Sequence, residues 1–375
     1  MFVKLEILDI VMEGLGMRWI PGSTRRFTSR MIVMLLAISL IAAACGGDSE
    51  SEGGDSQGTS PAGLPQPEVT SLKFAVSALA PGPNFAQFAV DEGLFEKYGI
   101  PDVEVLLLEG SARSLQALVA GQVQVTIDSA QATLTSLLTD NPLQDVAQFH
   151  NSFVDCIYGG PEIKSPDDVA GGRLAVSTLG GQSHAEVVVA LTEFGLTSDD
   201  VEIVQIGGQD DRVAALRAGS VEAIPAECAV EKQLTSEGMN VLLRLPDVET
   251  QMPGSPLTFS KEFIEKNPNT VLAVTAACLE AMQTLFNDTD AAAESYAAWV
   301  QVSPEDALLS LEPYKDVAQR DLRWTPEGYA TVHEFLVLTN PAVGGVDVRD
   351  AYTFEFLERL EELGVYEDLG VPESS

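Results

Sequence analysis

Segments with strand-like and helix-like patterns alternate along this 375-residue chain, and the cycle occurs twice. Alternating and β-branched residues predict six strands, at residues 72–77, 103–108, 123–127, 173–177, 201–206 and 221–224. Apolar residues three and four apart predict the helices between them, over 84–94 (with Asn84 as the cap), 112–120, 184–194 and 212–218. Strands that alternate with helices at this spacing pair in parallel, so the chain is restricted to α/β architectures.

A short repeat marks the two cycles as related. Ala117–Val123 and Ala215–Val221 both read Ala-Leu-x-Ala-Gly-x-Val, and each ends the second predicted helix of its cycle. The repeat favours two similar lobes, which we place at residues 70–150 and 160–250, joined by a hinge crossing at 151–160. Residues 251–375 are predicted to cross back and to pack mainly helical segments on lobe 1. The predicted C-terminal helices are 263–285, 291–300, 304–311, 326–338 and 348–363.

The N-terminus has the pattern of an export signal. Arg25, Arg26 and Arg30 precede the apolar run Met31–Ala44, which is shorter than the roughly 20 residues that span a bilayer. Residues 1–44 are therefore predicted to be a signal segment, with Met17 or Met31 as alternative start sites. The residues before Cys45 resemble a bacterial lipobox, which predicts a lipidated Cys45; the alternative is an ordinary signal peptide with an incidental cysteine. Residues 45–69, rich in Gly, Ser and Pro, are predicted to be a flexible tether.

Charge and cysteine content exclude several classes of protein. With 21 Lys plus Arg against 56 Asp plus Glu, the formal net charge is −35, which is incompatible with binding nucleic acid through phosphate neutralisation. Three cysteines, Cys156, Cys228 and Cys278, match no zinc or CxxC spacing. A Cys156–Cys228 disulfide and buried free thiols are both compatible with the sequence. No paired histidines or catalytic motif predicts a metal site or an enzyme, and no cofactor is expected.

Three segments in order carry a family resemblance. They are Phe88–Ile100 (FAVDEGLFEKYGI), the Ala117–Val123 repeat and Ile163–Ser177 (IKSPDDVAGGRLAVS). They resemble the extracytoplasmic substrate-binding proteins of ABC importers, in the branch for nitrate, sulfonates, taurine and thiamine-precursor pyrimidines. The resemblance covers about residues 70–365 and implies a two-lobed clamp of the type II periplasmic-binding-protein-like fold, each lobe a mainly parallel sheet flanked by helices.

The resemblance also implies a function. A monomeric clamp, held outside the cytoplasmic membrane by its lipid, would capture one small organic solute, sulfonate- or taurine-like or a related nitrogen or sulfur compound. It would deliver the solute to an ABC permease and its ATPase. Two alternatives remain open: an enzyme of the pyrimidine-precursor type on the same fold, and a surface binding protein coupled to a sensor.

Ligands of parallel α/β sheets lie beyond the carboxyl ends of the strands, where helix N-termini offer backbone N–H groups. The candidate ligand-binding residues in such turns are Ser77, Asn84, Phe85, Ser111, Asp128, Ser129, Phe153, Ser177, Thr178, Gly181, Ser183, His184, Gln209 and Glu227. The Ser177–Ser183 turn is the candidate oxyanion cradle, because it matches the place where sulfonate binders of this family hold their ligand.

Two other interpretations of these residues stay open. The acids Asp128 and Glu227 suit an amine on a zwitterion, or a neutral ligand rich in hydrogen-bond donors, better than an anion. Alternatively, Asp128 is simply the cap of the next helix. Phe85 and Phe153 are candidates for stacking on a flat ligand, with the hydrophobic core as the alternative.

Overall fold

The computed structural model describes residues 63–108 and 110–372, and only the backbone of Ala112. The predicted signal segment, the lipidation site at Cys45 and most of the tether lie outside these residues. The described strands are β1 Ser71–Val76, β2 Asp102–Leu107, β3 Val125–Ser129, β4 Leu143–His150, β5 Asp155–Gly159, β6 Arg173–Val176, β7 Glu202–Gln205, β8 Ala223–Glu227, β9 Asn240–Arg244 and β10 Gly254–Ser260.

The described α-helices are numbered in chain order. They are α1 Pro81–Asp91, α2 Leu94–Lys97, α3 Ser111–Val119, α4 Ala130–Ser136, α5 Gln182–Glu193, α6 Gln209–Arg217, α7 Glu231–Ser236, α8 Lys261–Lys266, α9 Pro268–Asn287, α10 Thr289–Val300, α11 Pro304–Tyr314, α12 Pro326–Thr339, α13 Glu355–Glu362 and α14 Val365–Leu369.

The strands form two five-stranded sheets of matching topology. Lobe 1 has the order β2-β1-β3-β10-β4, and lobe 2 has the order β7-β6-β8-β5-β9. The first three strands of each sheet pair in parallel, whereas β10 and β5 run antiparallel to both of their neighbours. Four strands of each sheet therefore share one direction. The predicted two-lobed α/β class is confirmed, in the form of two mixed sheets.

The reversed strands are those that follow the two crossings between lobes. The chain leaves β4 at His150 and enters β5 at Asp155, then leaves β9 at Arg244 and enters β10 at Gly254. In each sheet the antiparallel strand is thus the first strand after a crossing. The predicted crossing at 151–160 is too long, because residues 155–159 form β5.

The sequence repeat corresponds to one helix ending used twice. In both copies the glycine, Gly121 or Gly219, adopts a left-handed conformation, with φ of 67° and 65° respectively. The next residue donates its N–H to the carbonyl of the first alanine of the motif, from Gln122 to Ala117 and from Ser220 to Ala215. This is a glycine-terminated helix end, a position that favours a residue without Cβ.

Helix α1 begins earlier than predicted. The sequence suggested Asn84 as its cap, but the helix starts at Pro81 with Ala80 as the N-cap residue. Proline fits the first turn of a helix, because its fixed φ is helical and the N–H it lacks would have no intrahelical partner there. Asn84 therefore lies inside the first turn, with its side chain 3% exposed.

The C-terminal helices pack on lobe 1. The predicted helix 263–285 is two helices, α8 and α9, because the residue before Pro268 is disfavoured in helical conformation. The predicted helix 348–363 is a 3-10 turn at Val348–Ala351 followed by α13. Helix α9 contacts α1, α2, α10 and α13. It is long and apolar enough to span a membrane, but 78% of its most apolar stretch is buried within the protein.

The predicted tether ends before residue 69. Leu64 is only 3% exposed. The Glu68 carboxylate accepts hydrogen bonds from the N–H groups of Asn269 and Thr270 at 3.0 and 2.7 Å, and so caps α9. Residues 64–69 are therefore part of the folded protein.

A disulfide joins Cys156 on β5 to Cys228 directly after β8, with the two Cα atoms 4.9 Å apart. Of the two arrangements that the sequence left open, the structure has the disulfide. Cys278 is a free thiol buried in α9.

Candidate functional site

The two lobes meet at the carboxyl ends of their parallel strands. Gly110, after β2, lies against Thr178, after β6: a Cβ on Gly110 would be 3.6 Å from the Thr178 methyl carbon. Gln131 of α4 and His184 of α5 line a cavity of about 10 Å³ between the lobes, which is room for about one water molecule. This junction is where open α/β sheets place their ligands, so we take it as the candidate site.

The Ser177–Ser183 turn is hydrogen-bonded within itself. The Ser183 hydroxyl oxygen accepts the Ser177 N–H at 2.8 Å and lies 2.7 Å from the Ser177 hydroxyl. The Gly180 N–H donates to Nδ1 of His184 at 2.8 Å. Burial lowers the pKa of His184, which keeps this ring nitrogen free to accept. The hydroxyls of Ser177 and Ser183 thus have partners inside the turn.

Two further N–H groups of the Ser177–Ser183 turn are also hydrogen-bonded to the protein. The Gly181 N–H donates to the Thr178 carbonyl at 3.2 Å, and the Leu179 N–H donates to Oε1 of Gln205 at 3.3 Å. A Cβ at Gly181 would lie 2.5 Å from the Thr178 hydroxyl oxygen, so the turn requires glycine there. Four N–H groups of the predicted oxyanion cradle, at residues 177 and 179–181, therefore donate to the protein itself.

Asp128, the last residue but one of β3, carries a buried carboxyl group. Its side chain is 6% exposed, and neither carboxyl oxygen has a partner of normal geometry among the described residues. Burial raises its pKa to about 8, although the nearby hydroxyls of Ser111 and Ser114 act in the opposite direction. The cap of α4 is Ser129, whose hydroxyl accepts the Ala132 N–H at 3.3 Å. The alternative in which Asp128 caps this helix is therefore wrong.

Lobe 2 contains a group of acidic residues, most of which the sequence analysis did not predict as site residues. Asp155 opens β5 and stands opposite Glu227, the last residue of β8, in the strand register. Glu186 of α5 and Arg212 of α6 lie close to Asp155. We call Asp155, Glu186 and Glu227 the carboxyl cluster. Asp155, Glu186 and Arg212 are 9%, 1% and 5% exposed.

Burial raises the pKa of every member of the carboxyl cluster. The pKa of Glu227 is raised to about 8 by burial and by the charge of Asp155, while Arg212 lowers it. Burial also raises the pKa values of Asp155 and Glu186, and the Asp155 charge raises that of Glu186 further. One sequence signal could have revealed Glu186, since it is the one acid within the otherwise apolar stretch of residues 185–191.

Arg212 is held by backbone carbonyls rather than by these acids. Its Nε donates to the Pro225 carbonyl at 3.2 Å and its Nη1 donates to the Gly207 carbonyl at 2.8 Å. Among the described residues, none of its contacts with a carboxylate is short enough to be an ion pair. The guanidinium thus contributes its charge to the carboxyl cluster at a distance.

Further buried amides in lobe 1 have oxygen atoms that find no hydrogen-bond partner in the part of the chain that the structure describes. They are Oδ1 of Asn84, Oε1 of Gln131, Oε1 of Gln148 and Oδ1 of Asn151. Asn84 was expected from the sequence, whereas the other three were not. Gln131 follows Asp128 by three residues, and Gln148 and Asn151 lie at the first crossing. These positions are polar residues in or beside buried elements, a pattern that hydrophobic periodicity does not detect.

Several other residues predicted to bind the ligand instead pack against, or form hydrogen bonds with, the protein itself. Phe85 is stacked on Phe149 with ring centroids 5.1 Å apart, and Phe153 is 1% exposed, so both lie in the hydrophobic core. Ser77 accepts the Gly110 N–H with its carbonyl at 2.9 Å. Gln209 accepts the Glu227 N–H with its Oε1 at 2.8 Å.

A larger recess opens on the surface at the second crossing. It has a volume of about 640 Å³ and shares Phe335 with the small cavity between the lobes. Three carboxylates, those of Glu249, Glu327 and Glu334, line it. In the described part of the chain, no three His, Cys, Asp or Glu side chains are arranged to hold a metal ion.

Several solved structures have a fold similar to that of this protein. The nitrate-binding protein NrtA of Synechocystis is 16% identical, with a TM-score of 0.67, over 82% of this chain and 92% of its own. The alkanesulfonate-binding protein SsuA of Xanthomonas axonopodis, bound to MOPS, is 17% identical with a TM-score of 0.63 over 76% and 99%. The desulfurization enzyme DSZB is 18% identical with a TM-score of 0.59 over 78% and 99%. These likenesses show a shared fold.

No curated protein matches the sequence significantly. The family model described as NMT1/THI5 like matches residues 83–292, which are more than half of the chain. The match extends from the first turn of α1, through both crossings and the carboxyl cluster, to the start of α10. The chain therefore belongs to the NMT1/THI5-like family.

Proposed function

We propose that this protein is the extracytoplasmic solute-binding component of an ABC importer. One observation carries the proposal. Two sheets of matching topology, joined by two crossings, meet at their strand ends around buried polar groups that have no partner among residues 63–108 and 110–372. A small solute there would contact both lobes and supply those partners. The neighbours NrtA and SsuA, which bind nitrate and alkanesulfonates, support this use of the fold.

The proposed mechanism is closure of the lobes around the solute. A solute that contacts both lobes binds the closed form more tightly, and it shifts the population by that difference in affinity. The crossings at residues 151–154 and 245–253 would serve as the hinge, since they alone carry the chain between the sheets. A permease and its ATPase would then accept the closed form from a monomeric protein anchored through a lipidated Cys45.

The test is a thermal-shift screen of small solutes followed by X-ray scattering with and without the best one. We expect one class of solute to raise the unfolding temperature, because a ligand that binds only the folded state stabilises it. The same solute should reduce the radius of gyration, and mass spectrometry should recover it unchanged. A scattering curve that stays the same at saturation would contradict the closure mechanism.

An enzyme is the second candidate, favoured by one comparison and one feature of the site. DSZB, a desulfurization enzyme, shares the fold. The carboxyls of the buried Asp128 and the half-buried Glu227, with pKa values of about 8, could act as acids near neutral pH. Conversion of a bound solute, seen by mass spectrometry in the same samples, would favour this candidate over transport.

A further inference from the structure

The charges buried at the edge of lobe 2 are unbalanced. The carboxyl cluster places three acids around one base, Arg212, and that base donates two of its N–H groups to the backbone carbonyls of Pro225 and Gly207. A buried carboxylate is stable only with a cation or sufficient hydrogen bonds, and otherwise takes up a proton. The cluster therefore has capacity for additional positive charge.

Glu186 shows this capacity most directly. It is 1% exposed, and only one of its oxygens is satisfied, by Nε2 of Gln182 at 3.0 Å. The other oxygen, Oε2, has no partner among the described residues. A proton shared between Glu186 and Asp155 would remove the repulsion between these two carboxyl groups. It would still leave the nearby Glu227 without a contacting partner of opposite charge.

The cluster lies near a helix that packs on lobe 1. The charge of Glu227 acts on the phenol of Tyr296 in α10, a helix that packs on lobe 1, and it helps to raise the pKa of that phenol. A ligand beside Glu227 would thus lie between the lobes. Among the described residues, the unpartnered groups of lobe 1 include more acceptors than donors. The acceptors include Asp128 and the amide oxygens of Asn84 and Gln131, and the donors are Nε2 of Gln148 and Nε1 of Trp324. A ligand that supplies hydrogen-bond donors would therefore satisfy most of these groups.

On these grounds, and given the proposed function, we propose that the carboxyl cluster receives the protonated amine of a small organic solute. The donors of an ammonium group match the acceptors of both lobes. An organic cation fits better than a metal ion, because no three acids among the described residues are arranged as metal ligands. The acid-lined recess at Glu249, Glu327 and Glu334 and the net charge of −35 would attract such a cation from solution.

The test uses two pairs of probes in which a hydroxyl replaces an amine. The pairs are taurine with isethionate and putrescine with 1,4-butanediol, and nitrate serves as an anion without either group. Affinities are measured by titration calorimetry on the purified chain. We expect the amine of at least one pair to bind at least tenfold more tightly than its hydroxyl partner, and nitrate to bind weakly.

Substitutions in the carboxyl cluster test whether the amine of the probe binds there. Glu186→Gln and Glu227→Gln should each weaken the amine probe at least tenfold and leave the unfolding temperature near that of the wild type, because each replaces a carboxyl that burial already favours in the neutral form. Glu193→Gln is the matched control. It makes the same substitution at an exposed position on α5, seven residues from Glu186, and should leave the affinity unchanged.

A second readout is the number of protons released on binding. The titratable groups that face Glu227 are Asp155, Arg212 and the phenols of Tyr158 and Tyr296. Those that face Glu186 are Asp155 and Arg212. An ammonium ion should ionise a cluster carboxyl that is protonated in the free protein. Titrations at pH 6.5 in buffers of different ionisation enthalpy should therefore show about one proton released with the amine probe and none in Glu227→Gln.

Three results would overturn this inference: equal or tighter binding of the hydroxyl probes or nitrate, an unchanged amine affinity in both glutamine variants, or no binding of either amine. In the first case the protein would still bind solutes, and the proposed function would stand while the amine site fails. The proposed function fails separately, if a bound probe is chemically converted or leaves the scattering curve unchanged.

Discussion

The Ser177–Ser183 turn and the carboxyl cluster lie at the same edge of lobe 2, but their hydrogen bonding is opposite. In the turn, hydroxyls and N–H groups pair with one another, as Ser183 does with Ser177 and His184 with Gly180. In the cluster, Oε2 of Glu186 has no partner in the described structure, and burial raises the pKa of all three acids. Four N–H groups of the turn already donate to the protein itself, whereas a ligand that donates to Oε2 of Glu186 would stabilise the cluster. Polar composition alone therefore does not distinguish a binding site from a structural turn.

The largest effect expected concerns the covalent support of the cluster. The Cys156–Cys228 disulfide closes a loop with a sequence separation of 72 residues, and its cysteines adjoin Asp155 and Glu227. Replacing both cysteines with serine should lower the free energy of unfolding by about 4 kcal/mol, because the cross-link restricts the unfolded chain. Urea denaturation measures this change.

The control for this experiment is reduction of the disulfide. Dithiothreitol should destabilise the wild type to a similar extent and leave the double serine variant unaffected. A loss below about 1 kcal/mol in the variant would mean that the strand pairing of β5 with β8 holds the cluster without the disulfide.

The second effect concerns the turn. Ser183→Ala removes the partner of both the N–H and the hydroxyl of Ser177, so the free energy of unfolding should fall by about 1.5 kcal/mol. The affinity for a bound solute should change less than twofold if the turn is structural. Chemical denaturation and calorimetry on the same protein check both values. A tenfold loss of affinity with unchanged stability would restore the turn as the ligand cradle, and Ser236→Ala, at an exposed position, is the control.

The smallest effect is a dependence of stability on pH. Asp128 has a pKa of about 8 in the folded protein, above its ordinary value of 3.8, so the folded state holds a proton that the unfolded state has lost between those values. Stability without ligand should therefore fall as pH rises, by up to about 1.4 kcal/mol per pH unit for one group. Between pH 7 and 8 we expect Asp128→Asn to reduce the loss by about 1 kcal/mol.

Thermal denaturation across this range measures the pH dependence, with Glu193→Gln as a control that should keep the slope of the wild type. Asp145 and Glu227, whose pKa values are raised to about 7 and about 8, should maintain part of the slope in the Asp128 variant. If the stability of the wild type instead rises from pH 6 to 8, Asp128 is ionised in the folded protein and has a partner in solution.

Local patterns predicted the strands of the two repeated cycles but not the strands around the crossings. Strand β4 is an example, because Asp145 and Gln148 are polar and yet fully buried in it. Asp145 accepts hydrogen bonds from Thr133 and Thr258 at 2.7 and 2.6 Å, and another from Tyr329. These partners come from α4, β10 and α12, so nothing near Asp145 in the sequence indicates that it is buried.

The candidate site likewise contains some residues that the sequence could reveal and others that it could not. Asp128 and Glu227 could be found because they follow predicted strands, and strand ends are a local feature. Asp155, Glu186 and Arg212 could not be assembled from the sequence, because they come from β5, α5 and α6 and meet only when lobe 2 is formed. Phe85, which a local pattern allowed as a ligand contact, lies in the core because Phe149 of β4 covers its ring.

By itself the sequence determined the α/β class, the two lobes and the repeated helix ending at Gly121 and Gly219, since strand alternation, helix periodicity and the conformational freedom of glycine act over a few neighbouring residues. The tertiary structure alone decided which polar groups have partners. The partners of a buried polar group often lie far away in the chain, just as Asp155 and Glu227 are distant in sequence but opposite each other in the sheet. Only the packed lobes therefore determine which polar groups remain available to a solute.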